Sequence, residues 1–374
     1  MAEAKKRFDE LDGLKIFFAL WVVLHHYWIH VADCDMSKCP KCFEFIYKNG
    51  WLSNYFFFML SGFVMEYSYR NIIINMNFFS YLGQRLKKLY FPCFFATIIG
   101  IFLSFIDFIL LDGHFIWGIG HEITASKILA SITMSSFGWN TERFPFMEVT
   151  WFINVLFLCY VVYFLLVHLS NNIKIYTIYI YTAFLLFAFF GGAKIGFKFP
   201  FILTNTCYAY SCFFIGCILY NIQQYGYCTQ KQCILTFDFF IMILCLLSYK
   251  FGTEKIWGDL PYVFSFLVFP VLILTVENLP GIKKVLSCKI LTFASRYSMD
   301  IFLSHMAILW STLILNLYFG WNLNFASYKV LGCILLAIFA LAFDWHQLMA
   351  IVTPAFNRWF VSFIAPAKAE KTEA

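Results

Sequence analysis

The chain has 374 residues, 61% of them hydrophobic and only 13% charged, with 49 Phe, 22 Tyr and 11 Trp. Soluble domains carry about 25% charged residues, so the composition excludes a soluble globular protein and points to the membrane. The net charge of +6 follows from the basic loops of a membrane topology and gives no reason to invoke nucleic acid.

Apolar stretches long enough to cross a hydrocarbon core of about 30 Å recur along the sequence. They fall near 14–32, 51–69, 89–111, 150–169, 173–191, 201–220, 233–251, 260–277, 299–318 and 328–347. Backbone polar groups in lipid must be satisfied within the segment, so the expected fold is all-α, a polytopic protein of about ten transmembrane helices. The first stretch carries adjacent histidines and has no small-residue cleavage site, so it reads as a retained helix rather than a signal peptide. With the amino terminus inside, seventeen of the 27 Lys and Arg fall on the inner side, which places both termini in the cytoplasm.

The first helix opens on a basic segment and then carries Lys15 and, ten intervening residues later, His26. Eleven positions bring an α-helix back to nearly the same azimuth, about 16 Å further along its axis. One face therefore presents a cation at the membrane surface and an imidazole at depth, where an ionisable group is a site candidate by default. Ala19 and Val22 lie between them and are small, which leaves room along the stripe for something thin. His25, His26 and His30 sit within two turns; His26 and His30 share a face, while His25 points about 100° away. A metal or haem is the competing use of such histidines, but the helix offers no carboxylate or cysteine at ligand spacing, and no metal is expected.

Among the 13 cysteines, Cys93, Cys159, Cys207, Cys212, Cys217, Cys245 and Cys333 lie in apolar helices and read as small hydrophobes. Cys34, Cys39 and Cys42 fall in the first outer loop. There Cys39-Pro40-Lys41-Cys42 resembles half a zinc knuckle, or a redox pair that an oxidising exterior would close as a local disulfide. The second helix contains Phe56-Phe57-Phe58-Met59-Leu60-Ser61-Gly62-Phe63, whose Ser-Gly pair permits close backbone approach to a neighbour. Glu66 follows near the cytoplasmic end.

The next inner loop ends in Arg85-Leu86-Lys87-Lys88-Leu89-Tyr90-Phe91-Pro92. Arg85 and Lys88 share a helix face three residues apart. They read either as a positive-inside anchor or, with Lys15 on the same side, as a cationic cup for a phosphorylated ligand. Asp107 and Asp238 are further carboxylates able to pair with a histidine or lysine. The stretch 112–149 contains an apolar piece from Lys127 to Phe137 and a polar run from Gly138 to Glu148, and reads as an outward-facing lid, acceptor-binding element or connector. Helix nine opens Arg296-Tyr297-Ser298-Met299-Asp300 and sets His305 about two turns deeper. Residues 1–353 form the membrane domain, and 354–374 are expected to be a short disordered cytoplasmic tail.

Phe8 to His26 (FDELDGLKIFFALWVVLHH) resembles the opening signature of acyltransferase family 3, in which an Arg or Lys precedes a His by ten residues. The resemblance continues with FFFMLSGF at Phe56 to Phe63, Arg85 and Lys88 before a Tyr-x-Pro ending, the Trp151-Phe152 pair, and RYSMDIFLSH from Arg296 to His305. Two departures stand out. Lysine occupies positions 15 and 88 where many members have arginine, and Phe152-Ile153-Asn154 replaces a Ser-Leu sequence with a later Glu found in a large subgroup.

The resemblance implies an enzyme of the inner (plasma) membrane that moves an acyl group, usually acetyl, from cytoplasmic acyl-CoA to a hydroxyl of an extracytoplasmic or lipid-linked carbohydrate. It makes His26 the catalytic histidine, Lys15 its motif partner, and Lys15, Arg85 and Lys88 the acyl-CoA cations; no fused transferase domain is seen, so the chain is expected to act alone. A histidine with a pKa near operating pH suits the removal of a hydroxyl proton or the relay of an acyl group. A transporter or flippase for a lipid-linked sugar is the alternative, since many helices with midplane polar groups also describe carriers. The two halves of the chain show no resemblance to one another, which weighs against it.

Overall fold

Helices begin and end where local chemistry stops or starts them. The computed structural model describes residues 8–30, 41–111, 123–141, 143–196, 198–226, 230–251 and 260–364. In α1 (Asp9–His30) the first turn carries Asp9, Glu10 and Asp12, which favour a helix amino terminus, so the helix starts five residues before its apolar stretch. It is followed by α2 (Lys41–Asn49), α3 (Leu52–Ile73) and the 34-residue α4 (Phe78–Leu111). Asn77 starts α4 by accepting the Phe79 backbone N–H at 2.9 Å, an amino-terminal cap. Then come α5 (Ala125–Ile132), α6 (Trp151–Ile173), α7 (Thr177–Phe187) with a π-helical continuation over Ala188–Ile195, α8 (Thr204–Gln224) and α9 (Lys231–Phe251). The last third holds α10 (Phe269–Asn278), α11 (Pro280–Leu286), α12 (Lys289–Ala294), α13 (Ser298–Phe319) and α14 (Tyr328–Ile364).

The fold is all-helical, with no named strand among the described residues. Among the described residues four helical stretches are long and apolar enough to cross a bilayer, Phe78–Leu111, Glu148–Ile173, Lys289–Phe319 and Tyr328–Phe356, and Phe264–Asn278, which includes α10, makes a fifth if taken with α11, to which it is bent by 92°. α1, α3 and α8 have spanning length, about 32 Å at 1.5 Å per residue. They also carry acids, histidines, amides and hydroxyls, so length and apolarity alone do not mark them as spans. α14 runs through Pro354 to Ile364, which corrects the disordered tail from residue 354. A proline removes one hydrogen bond of a helix, and an apolar environment keeps the others too valuable to give up.

The expected close approach at the Ser-Gly pair is found, and it is reciprocal. A Cβ on Gly62 would stand 1.9 Å from the Phe213 carbonyl oxygen, and one on Gly216 would stand 1.9 Å from that of Met59. α3 and α8 thus touch backbone to backbone through two glycines. α1 rests on the end of α11 in the same way, since a Cβ on Gly13 would meet the Leu286 carbonyl oxygen at 1.9 Å. Lys283 clamps that junction, 2.5 Å from Glu10 and 3.7 Å from Glu277. Burial pushes the Glu10 carboxyl up, but the bonds from Lys283 and its neighbours outweigh it and hold the group below its ordinary value.

Cys93, Cys159, Cys207, Cys212 and Cys217 are buried with free thiols, as small hydrophobes would be, whereas Cys333 is exposed on α14. Cys34, Cys39, and the side chains of Cys42 and Cys245 lie outside the described residues.

Candidate active site

Two clusters form the candidate site, cations that line a cavity and histidines that lie beyond the aromatic side of its wall. The cavity holds about 480 Å³ and lies among α3, α4, α6, the start of α13 and the first turns of α1. Lys15, Arg85, Lys88 and Arg296 line one end, and Phe57, Phe152 and Phe302 line the other. Lys15 pairs with Asp12 at 2.6 Å. Arg85 is buried, with its guanidinium carbon 3.8 Å from the Tyr69 ring centroid and 5.4 and 5.8 Å from those of Tyr81 and Tyr160. One of its nitrogens donates to the Met65 sulfur at 3.5 Å, and its Nε is buried without a partner. Among the described residues Arg85 meets no carboxylate, and its charge rests against aromatic faces beside an open cavity.

The sequence pairs Lys15 with Arg85 and Lys88, and the structure brings all three to one cavity. Arg296 is the fourth cation there. Sequence reasoning places it at the mouth of helix nine without assigning it, although its position two residues before α13 on the inner side is the signal. Lys15 and His26 lie at opposite ends of the candidate site, because eleven residues of α1 separate them by about 16 Å. Ala19 and Val22 do not border the cavity; both are fully buried. Small side chains let neighbouring helices close in, so the space along that stripe is filled, and the open path lies on the α3, α4 and α13 side.

Beyond the aromatic side of the cavity, the Nδ1 of His26 on α1 meets the Nε2 of His305 on α13 at 2.9 Å. The proton positions follow from backbone carbonyls, that of Val22 accepting from the His26 ring and that of Ile301 from His305. His305 Nδ1 lies 3.0 Å from the Ile301 carbonyl oxygen, which only accepts, so His305 carries its proton on Nδ1. Its Nε2 lone pair then accepts from the Nδ1–H of His26, and His26 is left with a free lone pair on Nε2. That is the arrangement of an oriented general base.

The neighbouring histidines have other duties. His25 donates from Nδ1 to the Tyr47 carbonyl at 2.5 Å, and with the bond from Trp21 Nε1 to the Ile46 carbonyl at 2.7 Å it fastens α2 to α1. His30 lies 3.4 Å from a carboxylate oxygen of Glu148, a residue the sequence offers only as the end of a polar loop. That loop is anchored over the helices: Phe137, Phe146 and Met147 are buried, Asn154 donates to Ser136 at 2.8 Å, and the Phe201 N–H donates to the Trp139 carbonyl at 2.8 Å. Two of the carboxylates named from the sequence are engaged elsewhere. Glu66 accepts from Tyr163, Tyr181 and Asn221 at 2.9, 2.8 and 3.1 Å, and Asp238 accepts from Thr275 at 2.8 Å.

The fold is helical, with several apolar helices of membrane-spanning length and a cavity lined by four cations and by aromatic rings, one of them 6.2 Å from His305. The family model of the acyltransferase domain matches residues 8–345, and the chain belongs to this family, acyltransferase family 3. It is a multi-pass membrane acyltransferase. No curated protein and no solved structure matches the chain significantly.

Proposed function

We propose that this protein transfers an acyl group, acetyl first among them, from acyl-CoA bound at the cytoplasmic face to a hydroxyl of a carbohydrate or glycolipid at the opposite face of the inner membrane. In this reading ten helices span the bilayer and both termini are cytoplasmic. The observation that carries it is the cavity itself, which begins at Arg85, Lys88, Arg296 and Lys15 and ends on Phe302, one turn before His305 and its partner His26. The phosphates of the nucleotide match the cationic end, where Arg85 grips through a fork and the lysines act as point charges. The pantetheine arm is thin enough for the cavity.

His26 Nε2 takes the proton of the acceptor hydroxyl as its oxygen attacks the thioester carbonyl. The new C–O bond forms, the C–S bond breaks, and the proton passes to the departing thiolate, leaving ester and free CoA. His305 holds the His26 ring from α13. Lys15 serves donor binding, steadied by Asp12.

The test supplies labelled acetyl-CoA to the cytoplasmic face of sealed vesicles and follows label into saccharide on the other face. Transfer that disappears in His26→Ala, with insertion and amount of protein unchanged, is the expected result. Saccharide that crosses the membrane without gaining label identifies a carrier and overturns the assignment.

A further inference from the structure

The loop before α6 brings a third donor to the two histidines on the outer part of α1. A single 3₁₀ turn, Glu148–Thr150, ends it, and Thr150 Oγ1 bonds back to the Met147 carbonyl at 2.8 Å. The approach is tight: a Cβ on Gly100 would stand 2.7 Å from the Met147 nitrogen, so α4 fixes the height of the turn. His26 and His30 are four residues apart on one helix face. One donor atom from each of His26, His30 and Glu148 lies within 4.8 Å of the other two.

Two imidazoles at i and i+4 on a helix with a carboxylate from a separate segment make a ligand set suited to Zn²⁺. Bonds of about 2.1 Å to a tetrahedral ion put the ligand atoms about 3.4 Å apart, and the His30 to Glu148 edge is already 3.4 Å. Closing the remaining edges needs at most about 1.5 Å of side-chain movement. The shell behind the first ligand fits too. A metal-bound histidine donates its other N–H to a fixed acceptor, and His26 donates Nδ1–H to His305, which leaves Nε2 for the ion. The His30 side chain is 5% exposed and that of Glu148 21%, so an ion enters past Glu148. Imidazole with carboxylate selects zinc and its neighbours in the transition series over magnesium or calcium.

We propose that His26, His30 and Glu148 form a binding site for one divalent transition-metal ion, and that the ion inhibits acyl transfer by occupying the lone pair that His26 uses as a base. The inhibition rests on the proposed function; the binding does not.

The experiment titrates ZnCl₂ into chelator-treated, detergent-solubilised full-length protein by calorimetry, and repeats the titration with CoCl₂ to read the ligand-field spectrum. One ion per chain is expected, with tetrahedral cobalt bands, and a loss of affinity of tenfold or more in each of His26→Ala, His30→Ala and Glu148→Gln. Melting temperatures close to wild type show that the variants are folded. Externally added ZnCl₂ is expected to stop label transfer in wild-type vesicles, and to remove a smaller fraction of the metal-free rate that Glu148→Gln itself shows. Binding that is absent, or that survives all three substitutions, overturns the site. Binding at the site with transfer unaffected by zinc overturns the inhibition. If acetyl-CoA labels nothing under any condition, the acyl-transfer reading fails, and the calorimetry still decides the metal site.

Discussion

Arg85→Met separates a ligand-binding cation from a topological anchor, because the two roles predict opposite pairs of results. The guanidinium is buried against three tyrosine rings and Met65 with no carboxylate among the described residues. Each ring contact is worth about 0.5–1 kcal/mol, while a buried cation left unpaired costs several kcal/mol even after relaxation. Contact with the open cavity softens that cost, so replacing it by an apolar side chain of similar length is expected to stabilise the ligand-free protein by about 1 kcal/mol, a rise in melting temperature of about 2 °C. Binding moves the other way. A charge-assisted hydrogen bond to phosphate contributes about 1.5–3 kcal/mol, so KM for acyl-CoA should rise about 10- to 150-fold with kcat changed little, because the contact is made equally in ground and transition states. The assay pairs differential scanning fluorimetry of the purified protein with initial rates across acetyl-CoA concentrations. A variant that melts lower and keeps its KM would show Arg85 to be structural and would remove the cationic cup from the argument.

Three further outcomes follow from single contacts. His305→Ala removes the partner that holds the His26 ring from α13; kcat should fall about 10²–10⁴-fold while KM for acetyl-CoA stays within about twofold, and steady-state kinetics reads both. Gly62→Ala sets a methyl group 1.9 Å from the Phe213 carbonyl oxygen, so α3 and α8 must part, and thermal unfolding should show a loss of about 1–3 kcal/mol. Glu10→Gln removes a carboxyl held below its ordinary value of 4.5. The stability it supplies is present above that value and lost as pH falls through the lower folded one, so the gap in melting temperature between variant and wild type should be open at pH 7 and close in acid.

Element type was legible in the sequence because apolar runs in lipid admit little besides helix, and α13 ends within a residue of its apolar stretch. The breaks were harder to read. The 92° bend between α10 and α11 falls at Leu279-Pro280, where a proline begins a new helix, and Pro92 and Pro354 sit inside helices without ending them. The same residue type does both, and tertiary packing decides which. At the site, Lys15, Arg85, Lys88 and His26 were legible as spaced motifs. Glu148 was not, since its meaning depends on a loop folding back against α4 and α1 over a distance that no local pattern encodes. The role of His305 had the same limit: its sequence shows a histidine two turns into a helix, and only the crossing of α1 and α13 turns it into the partner of His26.

The aromatic end of the cavity bears on which acyl groups pass. Phe57, Phe152 and Phe302 have ring centroids 6.2, 6.1 and 5.4 Å apart in pairs, and Phe302 lies 6.2 Å from His305. If the proposed transfer holds, a thioester approaching His26 meets three rings in mutual contact, which would favour a short acyl chain over a long one. Phe57 is the least buried of the three, so Phe57→Ala opens the wall with the smallest loss of core. Burying one methylene is worth about 0.8 kcal/mol, about fourfold in a rate ratio, and butyryl exceeds acetyl by two. The ratio of butyryl to acetyl transfer, measured as kcat/KM with each CoA ester, should rise by about an order of magnitude in the variant. An unchanged ratio with acetyl transfer intact would mean that the rings pack the helices and that the acyl group reaches His26 by another route.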